Sequence, residues 1–225
     1  MNKNAIWCAL LCLLLKPIVT NAQSTLHKSP IDRRPPLEIR EGETEDERLL
    51  GIVTYVGYED TIPSFLYAVY DENIVVATSA VALLRRFPQS NQAITALNTA
   101  ITDSREFVVV YAARLLLAMG KTEWLQNAVN RLPKIQDRVA RIQLSELLAQ
   151  AGKTDGWTFI IDSIIDGQLI DGALENIEYF DRKTDKNGRR IIVADELASI
   201  VGKAPAEVRP KIIEKINKLR SSTKK

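Results

Sequence analysis

A spacing of 32 residues recurs along the middle of the chain, and a period of that length limits the fold more than any single residue does. Asp71 in AVYDEN at 68–73 stands 32 positions before Asp103 in AITDSR at 100–105. With the same offset Ala80 falls on Ala112, Leu83 and Leu84 on Leu115 and Leu116, and Leu97 on Val129. A further step carries Leu115, Leu116, Gly120 and Lys121 onto Leu147, Leu148, Gly152 and Lys153. Units with such a period are single supersecondary pieces that bury their apolar faces against their neighbours.

Within a unit the apolar period is helical. Phe107, Val108, Tyr111, Ala112, Leu115, Leu116 and Met119 form one broad face of a helix. The β-branched run Val108-Val109-Val110 would suit a strand, but the pattern continues over three turns, beyond the length of a typical strand. After Gly120, TEWLQNAVNRLP gives a second, shorter helix with Leu125, Val129 and Leu132 inward and Pro133 as its stop. Each unit is therefore expected to be a helical hairpin. Gly120 and Gly152 suit the left-handed position that ends a helix, and Thr122 and Thr154 can cap the next one. The Gly-Lys-Thr that follows in both places is not half of a phosphate-binding loop. Leu115 and Leu147 stand where that loop needs its first glycine, and each Gly-Lys closes a helix rather than opening one.

The same parse extends outward. Thr44 with Glu47 reads as a capping box opening a first helix, and Ile62, Phe65, Leu66 and Val69 lie on a second. ELASIVGK at 196–203 repeats ELLAQAGK at 146–153 with an offset of 50, which is 32 plus 18 and implies one inserted helix. GQLIDGALENIEYF at 167–180 supplies it, with Leu169, Ile170, Ala173, Leu174, Ile177 and Phe180 at helical spacing. KIIEKINKLR then reads as an end cap, with Ile212, Ile213, Ile216 and Leu219 inward and Lys211, Lys215 and Lys218 on a polar outer face.

An acid opening the first helix, paired alanines nine and ten residues later and a glycine at its end resemble HEAT repeats, particularly the short type shared with phycobilisome-lyase-like proteins. Asp103 with Ala112, Ala113 and Gly120 carries the resemblance best, and it covers nearly all of 44–220. The arginine usual six residues after the opening acid survives as Arg141, counted from a position where Ile135 replaces the acid. Asp185 restores the acid for the last unit, 17 residues before Gly202, as Asp103 stands 17 before Gly120. The resemblance implies an all-α, right-handed α-solenoid of about four helix pairs with one inserted helix.

Residues 1–22 read as a signal peptide. Lys3 precedes an apolar stretch from Ala5 to Leu15 that is too short to span a bilayer, and Thr20-Asn21-Ala22 is a small-residue exit. The mature chain would begin at Gln23, without a membrane anchor, in the periplasm or outside the cell. Both cysteines, Cys8 and Cys12, would leave with the signal, so neither a thiol nor a disulfide is expected in the mature protein. Removing Lys3 and Lys16 also takes the formal net charge from +2 to 0, which disfavours non-specific nucleic-acid binding. Residues 23–43 contain three prolines and the only histidine, His27, and read as a disordered linker; 221–225 read as a basic tail.

These features leave enzyme chemistry short of parts. With no mature cysteine and a lone linker histidine, the sequence offers no thiol nucleophile, histidine base or zinc set, and no cofactor is expected. Asp155, Asp162, Asp166, Asp171, Glu175, Glu178 and Asp181 form an acidic stretch that meets no Lys or Arg in sequence, but their spacing makes no calcium loop. The expected function is a non-catalytic scaffold for a protein or an extended peptide, since stacked helix pairs leave a long curved surface. A phycobilin-lyase-like enzyme or assembly chaperone, which the resemblance also allows, is disfavoured by the export signal, and a structural envelope component is not separable from a scaffold by sequence. In arrays resembling HEAT repeats the second helices line the concave face. That places a candidate partner-binding row at Tyr67, Thr99 and Arg131, with Tyr70, Asn98, Asn127 and Asn130 beside it. Trp124 and Trp157 are expected to be core.

Overall fold

The computed structural model describes residues 44, 62–185 and 187–222, except for the side chains at 63, 64, 67 and 222. The expected export signal at 1–22, the expected linker at 23–43 with His27, and the helix that Thr44 and Glu47 would open lie outside the described residues. So does the side chain of Tyr67.

Helices follow one another as α1 (Ile62–Ala68), α2 (Ile74–Leu84), α3 (Asn91–Ala100), α4 (Glu106–Ala118), α5 (Leu125–Arg131), α6 (Arg138–Gln150), α7 (Trp157–Ile165), α8 (Ile170–Asn176), α9 (Val193–Ile200) and α10 (Arg209–Ser222). Short 3-10 turns extend α5, α8 and α9 at Leu132–Lys134, Ile177–Phe180 and Val201–Lys203. Among the described residues the only β pairing is an isolated bridge between Thr184 and Arg190. The fold is all-helical.

Its local punctuation follows the sequence closely in the central units. Gly120 (φ +68°) and Gly152 (φ +89°) take the left-handed conformation. Lys121 N–H donates to the Leu116 carbonyl at 2.9 Å and Lys153 N–H to that of Leu148 at 2.8 Å, the six-to-one bond that satisfies a helix C-terminus. Gly167 (φ +69°) ends α7 in the same way, with Gln168 N–H donating to the Ser163 carbonyl at 3.0 Å. At the N-termini the caps are Asn73, Ser90 and Asp137, each accepting from backbone amides of its first turn. Thr122 and Thr154 do not cap. Residue 124 stands at the N-cap of α5 without a side-chain cap bond, and the Thr154 hydroxyl instead donates to the Thr184 carbonyl at 3.1 Å.

Packing runs between successive units. The first helices stack in series, α2 on α4 and α4 on α6, while α1 packs on α2 and α3, and α3 on α4. Two hydrophobic clusters result, one from Ile62 to Leu148 and the other from Ile142 to Ile216. They meet across α6. Ala140, Leu144, Leu147 and Leu148 face the first cluster, and Ile142 and Ala149, roughly half a turn away, face the second. Trp124 and Trp157 are buried as expected: the Trp124 indole N–H donates to the Lys121 carbonyl at 2.8 Å, and the Trp157 ring lies 5.4 Å from that of Phe180.

The C-terminal third departs from the expected repeat. Gly202 lies in a 3-10 turn with no left-handed φ, so it does not end its helix as Gly120 does. Asp185 precedes α9 by eight residues, whereas Asp103 precedes α4 by three, and its carboxylate accepts from the amides of Asn187 and Arg189 inside a tight reversal. The amide of Val193 at the head of α9 is met instead by Asp181 Oδ1 at 3.1 Å. Leu169 is not inward either: it is 42% exposed with φ +51°, because the chain must turn sharply between Gly167 and Ile170 to start the inserted helix. On α10, Ile212 and Ile216 are buried but Ile213 is exposed.

Candidate functional site

The residues of the expected partner-binding row sit on or just after second helices, and the structure gives the local surroundings of all of them but Tyr67. Tyr70 follows α1 and is 59% exposed. On α3 the Thr99 hydroxyl donates to the Thr95 carbonyl at 3.0 Å, while the Asn98 side-chain oxygen is buried without a partner among the described residues. On α5 Asn127 and Asn130 are exposed, and Asn130 accepts from Gln126 at 3.1 Å. Arg131 turns back to the start of its own unit, donating to the Ser104 carbonyl at 3.1 Å, and its charge helps hold Asp103 ionised.

The larger concavity lies on the other set of helices. A groove of about 1120 Å³ opens between α6, α8 and α10, with Arg114 of α4 at its edge. The inserted helix forms one wall of it and packs on both α6 and α7. Val139, Leu169 and Tyr179 give the groove an apolar footing, each more than two-fifths exposed (41%, 42% and 43%). They are three of the seven large apolar side chains left exposed among the described residues, so exposed apolar surface concentrates here.

Charge of both signs rims this footing. The acids of the inserted segment lack cations in sequence but find them in space. Lys211 Nζ pairs with Asp171 at 2.7 Å, and Glu178 accepts from Lys215 and lies 3.7 Å from Lys218. The three lysines of α10 thus face the inserted segment rather than forming a detached outer face. The hydrogen bond from Lys215, assisted by the charge of Lys218, holds the Glu178 carboxyl below its ordinary pKa despite some burial. Glu146 goes the other way. Burial pushes its pKa up and Glu175 across the groove adds repulsion, against the opposing charge of Arg114 and a hydrogen bond from Gln150. A groove with apolar footing, ion pairs along one wall and a proton-hungry carboxyl on the other suits a polypeptide segment with mixed side chains.

A smaller concavity of about 300 Å³ lies between α6 and α7, lined by Arg138, Arg141, Phe159, Asp162 and Asp166 among others. Among the described residues no three His, Cys, Asp or Glu side chains gather as they would around a metal ion, and no helix is long and apolar enough to cross a membrane. No family model, curated protein or solved structure matches the chain.

Proposed function

We propose that this chain is a non-catalytic interaction scaffold working outside the cytoplasm, a right-handed α-solenoid similar to HEAT arrays that holds an extended peptide segment of a partner protein. The observation that carries the reading is the groove between α6, α8 and α10, where three large exposed apolar side chains lie inside a rim of paired and unpaired charges. Aromatic and apolar anchors flanked by charge are the composition of a binding patch. The serial stacking of α2, α4 and α6 supports the solenoid, because each first helix packs on the next as in a repeat array.

Photo-cross-linking in the native host tests the proposal. A photoreactive residue placed at Val139 or Tyr179 should trap the same partner, and Leu169→Asp should abolish trapping while the helical signal and melting stay unchanged. Equal trapping of that partner from Arg86, on an exposed turn remote in sequence from the groove, would overturn the groove assignment. Export is tested separately by intact mass: chain recovered from the host should begin at Gln23, and retention of Met1 would refute it.

A further inference from the structure

Arg141 is a charged side chain without a counterpart among the described residues. In its unit the acid that opens the helix elsewhere is replaced by Ile135, whose side chain is buried at 1% exposure. The guanidinium lies on the ring of Phe159, with Cζ 4.2 Å from the centroid. Its Nε is shut off from solvent and has no hydrogen-bond partner among the described residues. The two Nη groups are not shut off in this way and remain open to the concavity that Arg141 lines. A guanidinium fixes five N–H donors in a planar fork, and the accessible Nη donors, unlike the shut-off Nε, are the ones a bound ligand can meet.

The concavity around it holds a matched set of charges. Arg138 and Arg141 come from α6, and Asp162 on α7 and Asp166 at its C-cap, four residues later, line the same space of about 300 Å³. None of the four forms an ion pair with another, although all line one small space. Two cations and two carboxylates held apart on opposite walls leave a gap for something bearing both charges. A simple anion would meet the aspartates and a simple cation the arginines, each with repulsion to offset its attraction.

We infer that this concavity is a binding site for a small zwitterion of the α-amino-acid class. The ligand carboxylate lies on the Nη groups of Arg141 with Arg138 beside it, and the ammonium lies toward Asp162 and Asp166. Phe159 holds the guanidinium plane in place by cation–π attraction, which orients the fork for bidentate capture. The site is on the α6–α7 side of the fold and involves none of the groove's apolar anchors, so it stands or falls independently of the scaffold reading.

The test is an NMR titration of the full chain with a panel of L-amino acids, beside propionate and ethylamine as single-charge probes. At least one L-amino acid should shift the Phe159 and Asp162 amides saturably, with propionate and ethylamine weaker by about tenfold or more, since each lacks one charge-assisted hydrogen bond. Arg141→Lys, which keeps the charge but loses the fork, should weaken that binding by about tenfold while melting stays close to wild type. Asp162→Asn with Asp166→Asn should weaken the amino acid and strengthen propionate. Absence of saturable shifts with every amino acid, propionate binding as tightly as the best amino acid, or full binding by Arg141→Lys would each overturn the assignment.

Discussion

Gly156, at the N-cap of α7, lies close against α6, and replacing it with alanine measures how rigidly the two helices are seated. A Cβ at this position would lie 2.3 Å from Ser145 Cβ, 2.4 Å from its Oγ and 2.8 Å from its Cα. Ordinary van der Waals separation begins near 3.4 Å, so the helices must part by roughly 1 Å. Ser145 cannot swing clear, because it is fully buried with its hydroxyl donating to the Arg141 carbonyl at 2.8 Å, and the Cβ and Cα it presents are fixed to the backbone. Overpacking of this kind costs ~1–3 kcal/mol or more. The backbone itself does not object, since Gly156 has φ −81° and ψ −6°, where alanine would by itself gain ~0.4–1 kcal/mol through the unfolded chain. The net expectation is a loss of ~1–2 kcal/mol and a melting temperature lower by roughly 2–8 °C. Thermal denaturation followed by circular dichroism checks this, and a double-mutant cycle with Ser145→Gly should show coupling of ~1 kcal/mol or more. Relief would be partial, because the backbone of residue 145 would still stand 2.8 Å from the new methyl group. A melting temperature that is unchanged or raised, or a cycle without coupling, would refute the close approach.

Three further outcomes are expected. Leu116→Ala, at a fully buried position in the first cluster, should destabilise by ~2–5 kcal/mol in urea unfolding, and an unchanged midpoint would remove Leu116 from the core. Arg105→Ala removes the clamp in which its guanidinium pairs with Asp103 at 2.8 Å and donates to the carbonyls of Val69 (2.6 Å) and Asp71; the loss should be ~1.5–3 kcal/mol. Burial alone would raise the Asp103 pKa, but the hydrogen bonds and charge of Arg105, with Arg131 behind, hold it below the ordinary carboxylate value. Its contribution is therefore fully present above about pH 4 and fades as pH falls through the lowered folded value, and Arg105→Ala should flatten that acid limb of a stability–pH profile. Glu106→Ala should expose the amides of Gln136 and Asp137, which its two carboxylate oxygens accept, and speed their hydrogen exchange with a loss of ~1–2 kcal/mol.

Helix existence in the central units was legible because the apolar period, the glycine stops and the breaks between them agree at every level. Gly120 and Gly152 end their helices as read, and Ile62, Phe65 and Val69 are core as their spacing implied. What failed was chemistry that depends on neighbours distant in sequence. Thr154 looks like a cap until the Thr184 carbonyl, 30 residues on, offers its hydroxyl a better partner. Asp171 and Glu178 look unpaired until α10 returns Lys211 and Lys215 to them. Leu169 fits a helical face by spacing, yet the sharp turn after Gly167 takes it out of the helix and sets it on the rim of the groove. The groove was illegible for the same reason, since its walls come from α6, α8 and α10, and sequence could place the insertion but not the space it leaves.

The opening acid of the repeat shows what is kept when a residue is not. Asp71 Oδ1 accepts from the amide two residues on, Asn73, at 2.8 Å, and Asp103 Oδ1 does the same for Arg105 at 2.8 Å. Each bond satisfies a donor at the entry to a first helix, where the chain has no intrahelical partner to offer. In the third unit Ile135 has no oxygen to give, but the equivalent amide, at Asp137, is still met: Glu106 reaches from the start of α4 and accepts it at 2.7 Å. The repeated element is thus a carboxylate oxygen at a fixed place rather than an acid at a fixed position, and supplying it from the neighbouring unit ties α4 to α6. That substitution also frees position 135 for a buried isoleucine.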